Sequence, residues 1–227
     1  MKKTVLFFII SLFVSFSIFS QSSDSDYIHE YLSKESSCKS GAITDTYGYV
    51  VLSGRKYAAW SGIPRSLAEY LQNELNAGRV IDDICLTEKG SWYCVGDKLY
   101  GEGCPQSMHD EISEYLKKGD RINCVTFNDY GEWMVITDNH FSASDDYILD
   151  IMKEVSKKYG FIHAASMNNQ GLIIVGNDGF QSKGNIPDSL DKYLRYDQSF
   201  DIKYIKFTEN GSWLVTDGYS KYAYSLY

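Results

Sequence analysis

A ten-residue string recurs five times along the chain, and this repetition limits the possible folds more than any other feature of the sequence. A period between about 20 and 50 residues is typical of repeat proteins, in which stacked units bury each other's apolar faces. The clearest copies are CLTEKGSWYC, TFNDYGEWMV, SMNNQGLIIV and KFTENGSWLV, and a weaker one is ITDTYGYVVL. The shared glycines are Gly48, Gly90, Gly131, Gly171 and Gly211, at intervals of 42, 41, 40 and 40 residues. We therefore expect five copies of one structural unit.

The residues around each glycine alternate between apolar and polar, as they do in a β-strand with one buried face. Around Gly90, for example, Leu86 precedes the turn and Trp92 follows it. We predict a β-hairpin in every copy, with the glycine at a positive φ in the turn. Counted from the glycine, the tryptophan position is filled by Val50 in the first copy and by Ile173 in the fourth.

A second turn and then an aromatic residue follow each hairpin, which predicts a third strand in every unit. Between these meanders, residues 63–71 (IPRSLAEYL) and 186–194 (IPDSLDKYL) combine an early proline with apolar residues at helical spacing. Proline is tolerated in the first turn of a helix, so we predict one helix before each meander.

These elements predict an α+β fold of five tandem αβββ repeats, each an antiparallel meander with one helix. The units span 25–60, 61–102, 103–143, 144–184 and 185–227, within a single repeat domain at 21–227. The third residue after each shared glycine is also apolar, and a sheet that is apolar on both faces is usually covered on both. This pattern favours a compact ring- or propeller-like stack, and an open, solenoid-like array is the alternative.

The first segment, residues 1–20 (MKKTVLFFIISLFVSFSIFS), has the pattern of a secretory signal peptide. Two lysines precede an apolar run, and the small residue Ser20 precedes a polar stretch. The run is shorter than the roughly 20 apolar residues that span a bilayer, so we expect cleavage near Ser20, with an uncleaved anchor as the alternative. The mature chain, 21–227, then has no transmembrane segment, and we expect it to be secreted or to reside in the periplasm or cell envelope.

The composition argues against one class of partner and against metal chemistry. The chain has 22 lysines and arginines against 30 aspartates and glutamates, a net charge of −8. An acidic surface repels phosphate backbones, so we expect no nucleic-acid binding. The 5 cysteines show no zinc-ligand spacing, and we expect no metal and no cofactor. Cys94 and Cys104 occupy apolar positions of the repeat and are predicted to lie in the core, while one disulfide among the five stays open.

The pattern FTxxGxWxV, followed by a turn, an aromatic residue and IPxxLxxxL, resembles a tandem repeat of uncharacterised exported bacterial proteins. The resemblance spans about 200 residues of the chain. It is uneven, because unit 103–143 lacks the Ile-Pro pair and unit 144–184 lacks the tryptophan. It implies a repeat fold and export, and it carries neither a catalytic residue nor an activity.

Most of the strongly patterned residues have a structural explanation. Trp92, Trp133 and Trp213 share their register with aliphatic residues, so we predict that all three are buried rather than exposed for stacking on a sugar. Acidic residues recur in the second turn and could ring a calcium ion, but aspartate in such a turn is ordinary turn chemistry, which we favour. These acids are Asp97, Asp138, Asp178 and Asp217.

The aromatic residues near the third strands are the best candidates for a ligand surface, since aromatic faces bury much area at little entropic cost. Packing between neighbouring units is the competing explanation. The candidates are Tyr57, Trp60, Tyr100, Phe141, Phe180 and Tyr219.

No position demands catalytic chemistry, so we predict an exported, non-enzymatic repeat protein that presents a binding surface for a glycan, a peptide or an envelope protein. The alternative is a secreted hydrolase of an extracellular polymer that uses paired carboxylates. A purely structural envelope component is a third interpretation. Catalytic residues would be sought where the repeat is broken, at His140, Asp145, Asp146 and His163.

Overall fold

The computed structural model describes residues 28, 30–32, 37–54 and 57–227. The predicted signal peptide, residues 1–20, lies outside the described residues. Within the described part, no helix combines the length and the apolar character needed to cross a lipid bilayer.

The strands of the described residues form five separate sheets, each an antiparallel meander of three strands that are consecutive in the chain. The prediction of five tandem meanders is therefore confirmed. Sheet 1 contains β1 (Ser40–Ile43), β2 (Tyr49–Ser53) and β3 (Tyr57–Ser61); sheet 2 contains β4 (Ile81–Leu86), β5 (Trp92–Gly96) and β6 (Tyr100–Glu102); sheet 3 contains β7 (Ile122–Phe127), β8 (Trp133–Thr137) and β9 (Phe141–Ala143); sheet 4 contains β10 (Ile162–Met167), β11 (Gly171–Gly176) and β12 (Gly179–Gly184); sheet 5 contains β13 (Tyr204–Phe207), β14 (Trp213–Thr216) and β15 (Tyr222–Ser225).

A helix lies between each sheet and the next, as the αβββ unit requires. The four helices are α1 (Arg65–Asn76), α2 (Gln106–Lys117), α3 (Asp146–Tyr159) and α4 (Asp188–Lys192), and α4 continues into a π-helical turn at Tyr193–Asp197. Helical residues at 28 and 30–32 precede sheet 1. The α+β repeat fold predicted from the sequence is thus the observed one.

The five sheets form a closed ring. The first strands of successive sheets contact one another in order around an axis, and β13 of sheet 5 contacts β1 of sheet 1. We call β1, β4, β7, β10 and β13 the inner strands. Across the closure, the Tyr222 hydroxyl donates a hydrogen bond to the Leu32 carbonyl at 2.5 Å. The structure is therefore propeller-like, with three strands in each sheet, and the open array is not observed.

A separate apolar core fills each gap between neighbouring sheets. Between sheets 1 and 2, Val50 and Leu52 pack against Leu67 and Leu71 of α1 and against Trp92 of sheet 2. The same arrangement recurs in the next three gaps. In the fifth gap, residues of the N-terminal helical segment pack between sheets 5 and 1. Each sheet thus buries both faces, which explains why its middle strand is apolar on both sides.

The three repeated tryptophans are buried, as predicted. Trp92, Trp133 and Trp213 are exposed by only 0%, 5% and 5%. Each indole Nε1 donates a hydrogen bond to a serine in the first turn of the preceding helix. The tryptophan of the meander and the serine of the helix therefore join the two parts of each repeat. The pairs are Trp92–Ser66 at 3.0 Å, Trp133–Ser107 at 2.9 Å and Trp213–Ser189 at 2.9 Å.

Unit 144–184 lacks both partners of this hydrogen bond. Leu172 takes the place of the tryptophan, and Tyr147 stands where the other helices have serine. Helix α3 begins instead with Asp145, whose carboxylate accepts a hydrogen bond from the Ile148 N–H at 2.9 Å and caps the helix. In the four units that contain α1 to α4, tryptophan and serine therefore occur together or are both absent.

The shared glycines occupy two different positions of the hairpin, which corrects the prediction of a positive φ at all five. Gly90, Gly131 and Gly211 have φ values of +87°, +87° and +105°. Gly48 and Gly171 do not, and they close the hairpin one residue later. A Cβ atom on Gly48 would lie 1.9 Å from the Ser61 carbonyl oxygen, and one on Gly171 would lie 2.5 Å from that of Asn185. These two glycines are required by close backbone approach.

This difference shifts the side-chain register in two sheets. Ile43 pairs with Tyr49, and Met167 pairs with Leu172, just as Leu86 pairs with Trp92. The prediction that Val50 and Ile173 share the tryptophan register is therefore wrong. Because a shift of one residue moves a side chain to the other face of the strand, both residues point toward the following sheet instead.

A belt of hydrogen bonds links the five inner hairpins at one end of the ring, where the inner strands end. The residue at one position of each hairpin accepts a hydrogen bond from the preceding hairpin, and the last bond closes the circle. Glu88 accepts from the Asp45 N–H at 2.9 Å, Asp129 from the Lys89 N–H at 3.2 Å, Asn169 from the Asp129 N–H at 3.0 Å, Glu209 from the Gln170 side chain at 2.9 Å, and Asp45 from the Asn210 N–H at 2.8 Å.

Replacing Asp45 with alanine is expected to lower the free energy of unfolding by about 1 kcal/mol, because the Asn210 N–H loses its acceptor at the closure. Urea denaturation followed by circular dichroism measures this change. Thr46→Ala is the matched control, since Thr46 is exposed and only its main-chain N–H joins the belt. Equal stability of the two variants would show that the belt contributes nothing to ring closure.

Candidate functional site

Five polar residues surround the axis at the other end of the ring, where the inner strands begin. They hold equivalent positions, because the residue after each of them pairs with the same position of the middle strand, which is Leu52, Val95, Ile136, Val175 or Thr216. All five are half-buried. We call this set the axial mouth: Lys39, Asp82, Asn123, His163 and Lys203.

In sheets 2, 3 and 4 the residue at the axial mouth is a β-bulge. The register shifts at Asp82, at Asn123 and at His163, each of which lies unpaired between two paired neighbours. A bulge leaves the extra residue outside the ladder and re-aims its side chain, and bulges are frequent beside functional sites. The five positions share polarity but differ in chemistry, unlike the apolar positions that build the cores.

The charges at the axial mouth form a chain of contacts around Asp82. Its carboxylate pairs with the Lys39 ammonium, and its Oδ2 lies 3.4 Å from Nη2 of Arg121. Lys203 forms no ion pair with any residue in the described segments. A cavity of about 110 Å³ lies between Asp82, Arg121 and Asn123 on one side and Lys203 and Tyr204 on the other.

A larger groove adjoins this cavity between sheets 4 and 5, and Lys203 lines both. The groove has a volume of about 980 Å³. It lies beside the most irregular helix of the repeat, since α4 has only 5 residues before the π-helical turn while α1 and α2 have 12. Its walls include Phe180, Arg195, Tyr196 and Asp201.

Aromatic faces and hydrogen-bonding side chains lie side by side in the groove. The Arg195 guanidinium lies 5.2 Å from the centroid of the Phe180 ring, and Asp191 holds it with two hydrogen bonds of 2.6 and 2.9 Å. Tyr196 is 77% exposed at the rim. Burial, and then the Lys203 ammonium, lower the pKa of His163, so the imidazole is neutral at neutral pH.

The residues proposed for a hydrolase lie in different settings. His163 lines the groove, and Asp145 caps α3. His140 Nδ1 lies 2.8 Å from Oδ2 of Asp120, whose pKa is lowered by the Asn139 amide first and by His140 next. This pair joins the turn before β9 to the loop before β7. The structure does not bring the four predicted residues into one cleft.

The six aromatic candidates are distributed over the outer parts of all five sheets. Phe180 lines the groove, and Tyr57 and Tyr219 are exposed. Tyr100 stacks on Tyr70 with ring centroids 5.3 Å apart. Trp60 and Phe141 pack against apolar cores. Only Phe180 belongs to the groove, and a role of the other five in binding stays a prediction.

The turn acids and the cysteines have structural surroundings. Asp97 accepts a hydrogen bond from the Val80 N–H at 2.8 Å, Asp138 from that of Arg121 at 3.1 Å, and Asp217 from that of Tyr219 at 2.8 Å. Only the Asp217 contact is the local turn chemistry that the sequence predicts, because Asp97 and Asp138 bind main-chain N–H groups 17 residues earlier in the chain. The five cysteines are free thiols, with Cys94 buried and Cys104 half-buried. Among the described residues, no group of three or more acidic, His or Cys side chains could hold a metal ion.

The sequence contains a signal for the axial mouth that the glycine alignment missed. The polar residue at the start of each inner strand recurs at 39, 82, 123, 163 and 203, at intervals of 43, 41, 40 and 40 residues. A bulge inserts one unpaired residue, so simple period-two reasoning does not place it. No family model and no curated protein sequence matches the chain, and the site itself must carry the functional argument.

Proposed function

We propose that this protein is an exported, non-enzymatic binding protein whose ligand occupies the axial mouth and the adjoining groove. One observation carries the proposal: five equivalent, half-buried positions hold five polar side chains beside a groove of about 980 Å³. Lys39 and Asp82 already pair with each other, whereas Lys203 forms no ion pair with a described residue and has ammonium donors to offer a ligand. The exported location rests on residues 1–20, as argued from the sequence.

Binding explains the groove better than hydrolysis does. A hydrolase of a polymer needs one carboxylic acid that holds its proton, usually in an apolar pocket, and a second carboxylate across the bond. Asp178 and Asp201 of the groove are exposed to solvent. Oδ1 of Asp217 accepts main-chain hydrogen bonds from Tyr219, Ser220 and Lys221, so it does not lie in an apolar pocket. These carboxylates are suited to accept hydrogen bonds from a ligand.

A glycan is the ligand class that the groove favours among those considered. One face of a sugar ring is made of C–H groups and packs on aromatic rings, and its hydroxyls exchange hydrogen bonds with carboxylate, amide and guanidinium groups. Phe180 and Tyr196 supply such rings, while Asn177, Asp178 and Gln198 supply the polar partners. A peptide and an envelope protein remain outcomes that the experiment separates.

Replacing Tyr196 with alanine is expected to weaken ligand binding at least about tenfold, because an exposed ring at the rim offers a stacking face to the ligand. The purified protein is first applied to glycan and peptide arrays, and affinities for the ligands found are then measured by titration calorimetry. Tyr147→Ala is the matched control, since Tyr147 is an exposed tyrosine at the far end of α3 that does not line the groove.

Both variants should unfold at the temperature of the unchanged protein, because both side chains are largely exposed. Hydrolysis products appearing during the array experiment would favour the polymer hydrolase instead. If Tyr196→Ala and Tyr147→Ala bind every ligand equally well, the groove is not the binding site and the proposal fails.

A further inference from the structure

The axial mouth is locally basic in an acidic protein. The chain as a whole carries a net charge of −8. At the mouth, Lys39 and Arg121 pair with the Asp82 carboxylate and Lys203 lines the same cavity, while Asp201 and Asp217 lie in the adjoining groove. Two cations share Asp82, so the mouth itself keeps an excess of positive charge. The rest of the acidic surface repels anions, so an anion is attracted mainly to this half-enclosed basic site.

The residues that line the cavity include side chains able to donate hydrogen bonds to an anionic group. Arg121 has five N–H donors, and the contact of its Nη2 with Asp82 leaves most of them available. The Lys203 ammonium lies on the opposite wall. Burial, followed by the charges of Asp83 and Asp82, raises the pKa of Tyr204, so its hydroxyl keeps its proton. A cavity of about 110 Å³ has room for a carboxylate and its first neighbours, but not for a sugar ring with its substituents.

We infer that the axial mouth binds the carboxylate of an acidic sugar, with Arg121 and Lys203 as its ligands, while the sugar chain lies in the groove. This inference rests on the proposed function, because it names the class of glycan that the same site takes. Lys203 connects the carboxylate site to the groove, because it lines both the cavity and the groove.

The combination favours a uronate over a free anion. A free carboxylate or phosphate would need only the cavity, and the groove beside it would have no role. A wholly neutral sugar chain would use the groove and leave Lys203 without an ion-pair partner among the described residues. A chain of neutral sugars that ends in one uronate satisfies both, because its single carboxylate enters the cavity while the neutral rings lie beside the groove carboxylates Asp178, Asp201 and Asp217 without repulsion.

The test compares one oligosaccharide in two charge states. Titration calorimetry at low ionic strength measures binding of a neutral oligosaccharide that ends in one uronate with a free carboxylate and of the same oligomer as its methyl ester. We expect the acid to bind at least about tenfold more tightly than the ester. Lys203→Gln should weaken binding of the acid at least about tenfold and leave binding of the ester unchanged. Salt should weaken binding of the acid alone.

Lys89→Gln is the matched control, because it removes the same charge from an exposed hairpin at the other end of the ring. It should leave both affinities unchanged, and equal effects of Lys203→Gln and Lys89→Gln would overturn the inference. Equal affinity for acid and ester, with both weakened by Tyr196→Ala, would overturn the carboxylate site while the proposed function stands.

Binding of neither oligomer, together with binding of an acidic peptide that depends on Lys203, would replace the sugar by a peptide and overturn the inference. Binding of neither oligomer, with no array ligand that depends on Tyr196 or Lys203, would overturn the proposed function as well. The two failures are therefore distinguishable by the Tyr196 variant.

Discussion

Replacing Lys206 with methionine is expected to lower the free energy of unfolding by about 3–5 kcal/mol, the usual cost of removing one partner from a buried ion pair. Lys206 Nζ lies 2.9 Å from Oδ2 of Asp83, and the two side chains are only 9% and 1% exposed. Burial alone would lower the pKa of Lys206, but the charge and the hydrogen bond of Asp83 outweigh it, and the pKa is raised. The ammonium is therefore charged in the folded protein, and without it the Asp83 carboxylate is buried without a counter-charge.

Urea denaturation measures this loss of stability, and two further variants serve as comparisons. The double variant Asp83→Leu with Lys206→Met removes both charges and should be more stable than Lys206→Met alone, since replacing a whole buried pair with apolar residues is often close to neutral. Lys89→Met, at an exposed position, should stay within about 0.5 kcal/mol of the unchanged protein. A loss below about 1 kcal/mol in Lys206→Met would show that the pair is not needed.

The Lys206–Asp83 pair ties together sheets that are not neighbours in the ring. Asp83 lies on β4 and Lys206 on β13, and Ser40 of β1, between them, donates a hydrogen bond to Oδ1 of Asp83 at 2.5 Å. Three sheets thus meet through polar contacts at the axis. Closure of the ring depends on such long-range contacts as well as on the apolar cores.

The local structure of the unit could be predicted from the sequence because its signals are local. Period-two alternation gave the hairpins, and proline followed by helical spacing gave the helices. The tryptophans were correctly assigned to the core, although the argument used the wrong partners. Val50 and Ile173 were aligned to Trp92 through the glycines, and only the backbone pairing reveals that Tyr49 and Leu172 occupy that position.

Ring closure and the site depend on contacts between distant residues, which the sequence pattern does not encode. Asn210 and Asp45 are 165 residues apart in the chain, and their hydrogen bond exists only because the fifth sheet returns to the first. Lys203 and Arg121 are brought to one cavity by the same closure. Of the six aromatic residues selected from the sequence, Phe180 alone lies in the groove, since an aromatic residue at a strand end looks the same whether it packs or binds.

Replacing Trp213 with alanine is the second change expected to have a large effect, a loss of about 3–5 kcal/mol of unfolding free energy. Trp213 packs in the core between sheets 4 and 5, with its ring centroid 5.1 Å from that of Tyr193. Alanine leaves a cavity there and also removes the donor to the Ser189 hydroxyl. Ser189 is half-buried and can bind water instead, so most of the loss comes from the cavity.

The repeat itself supplies the matched variant. Leu172 occupies the tryptophan position of sheet 4 and is well buried, so Trp213→Leu should lose less than half as much stability as Trp213→Ala. Ser189→Ala should lose only about 0.5–1.5 kcal/mol, the contribution of one hydrogen bond. Tyr219→Ala, at an exposed residue of the same sheet, controls for the loss of an aromatic ring without a cavity.

Urea denaturation of these four variants separates packing from hydrogen bonding at one repeat position. If Trp213→Leu and Trp213→Ala are equally unstable, shape at this position matters more than apolar volume, and the Leu172 unit must be stabilised in some other way. If Ser189→Ala is as unstable as Trp213→Ala, the indole hydrogen bond rather than the core dominates. We expect Trp213→Ala to be much less stable than Trp213→Leu. Each sheet is covered on both faces, so the cavity left by alanine cannot open to solvent.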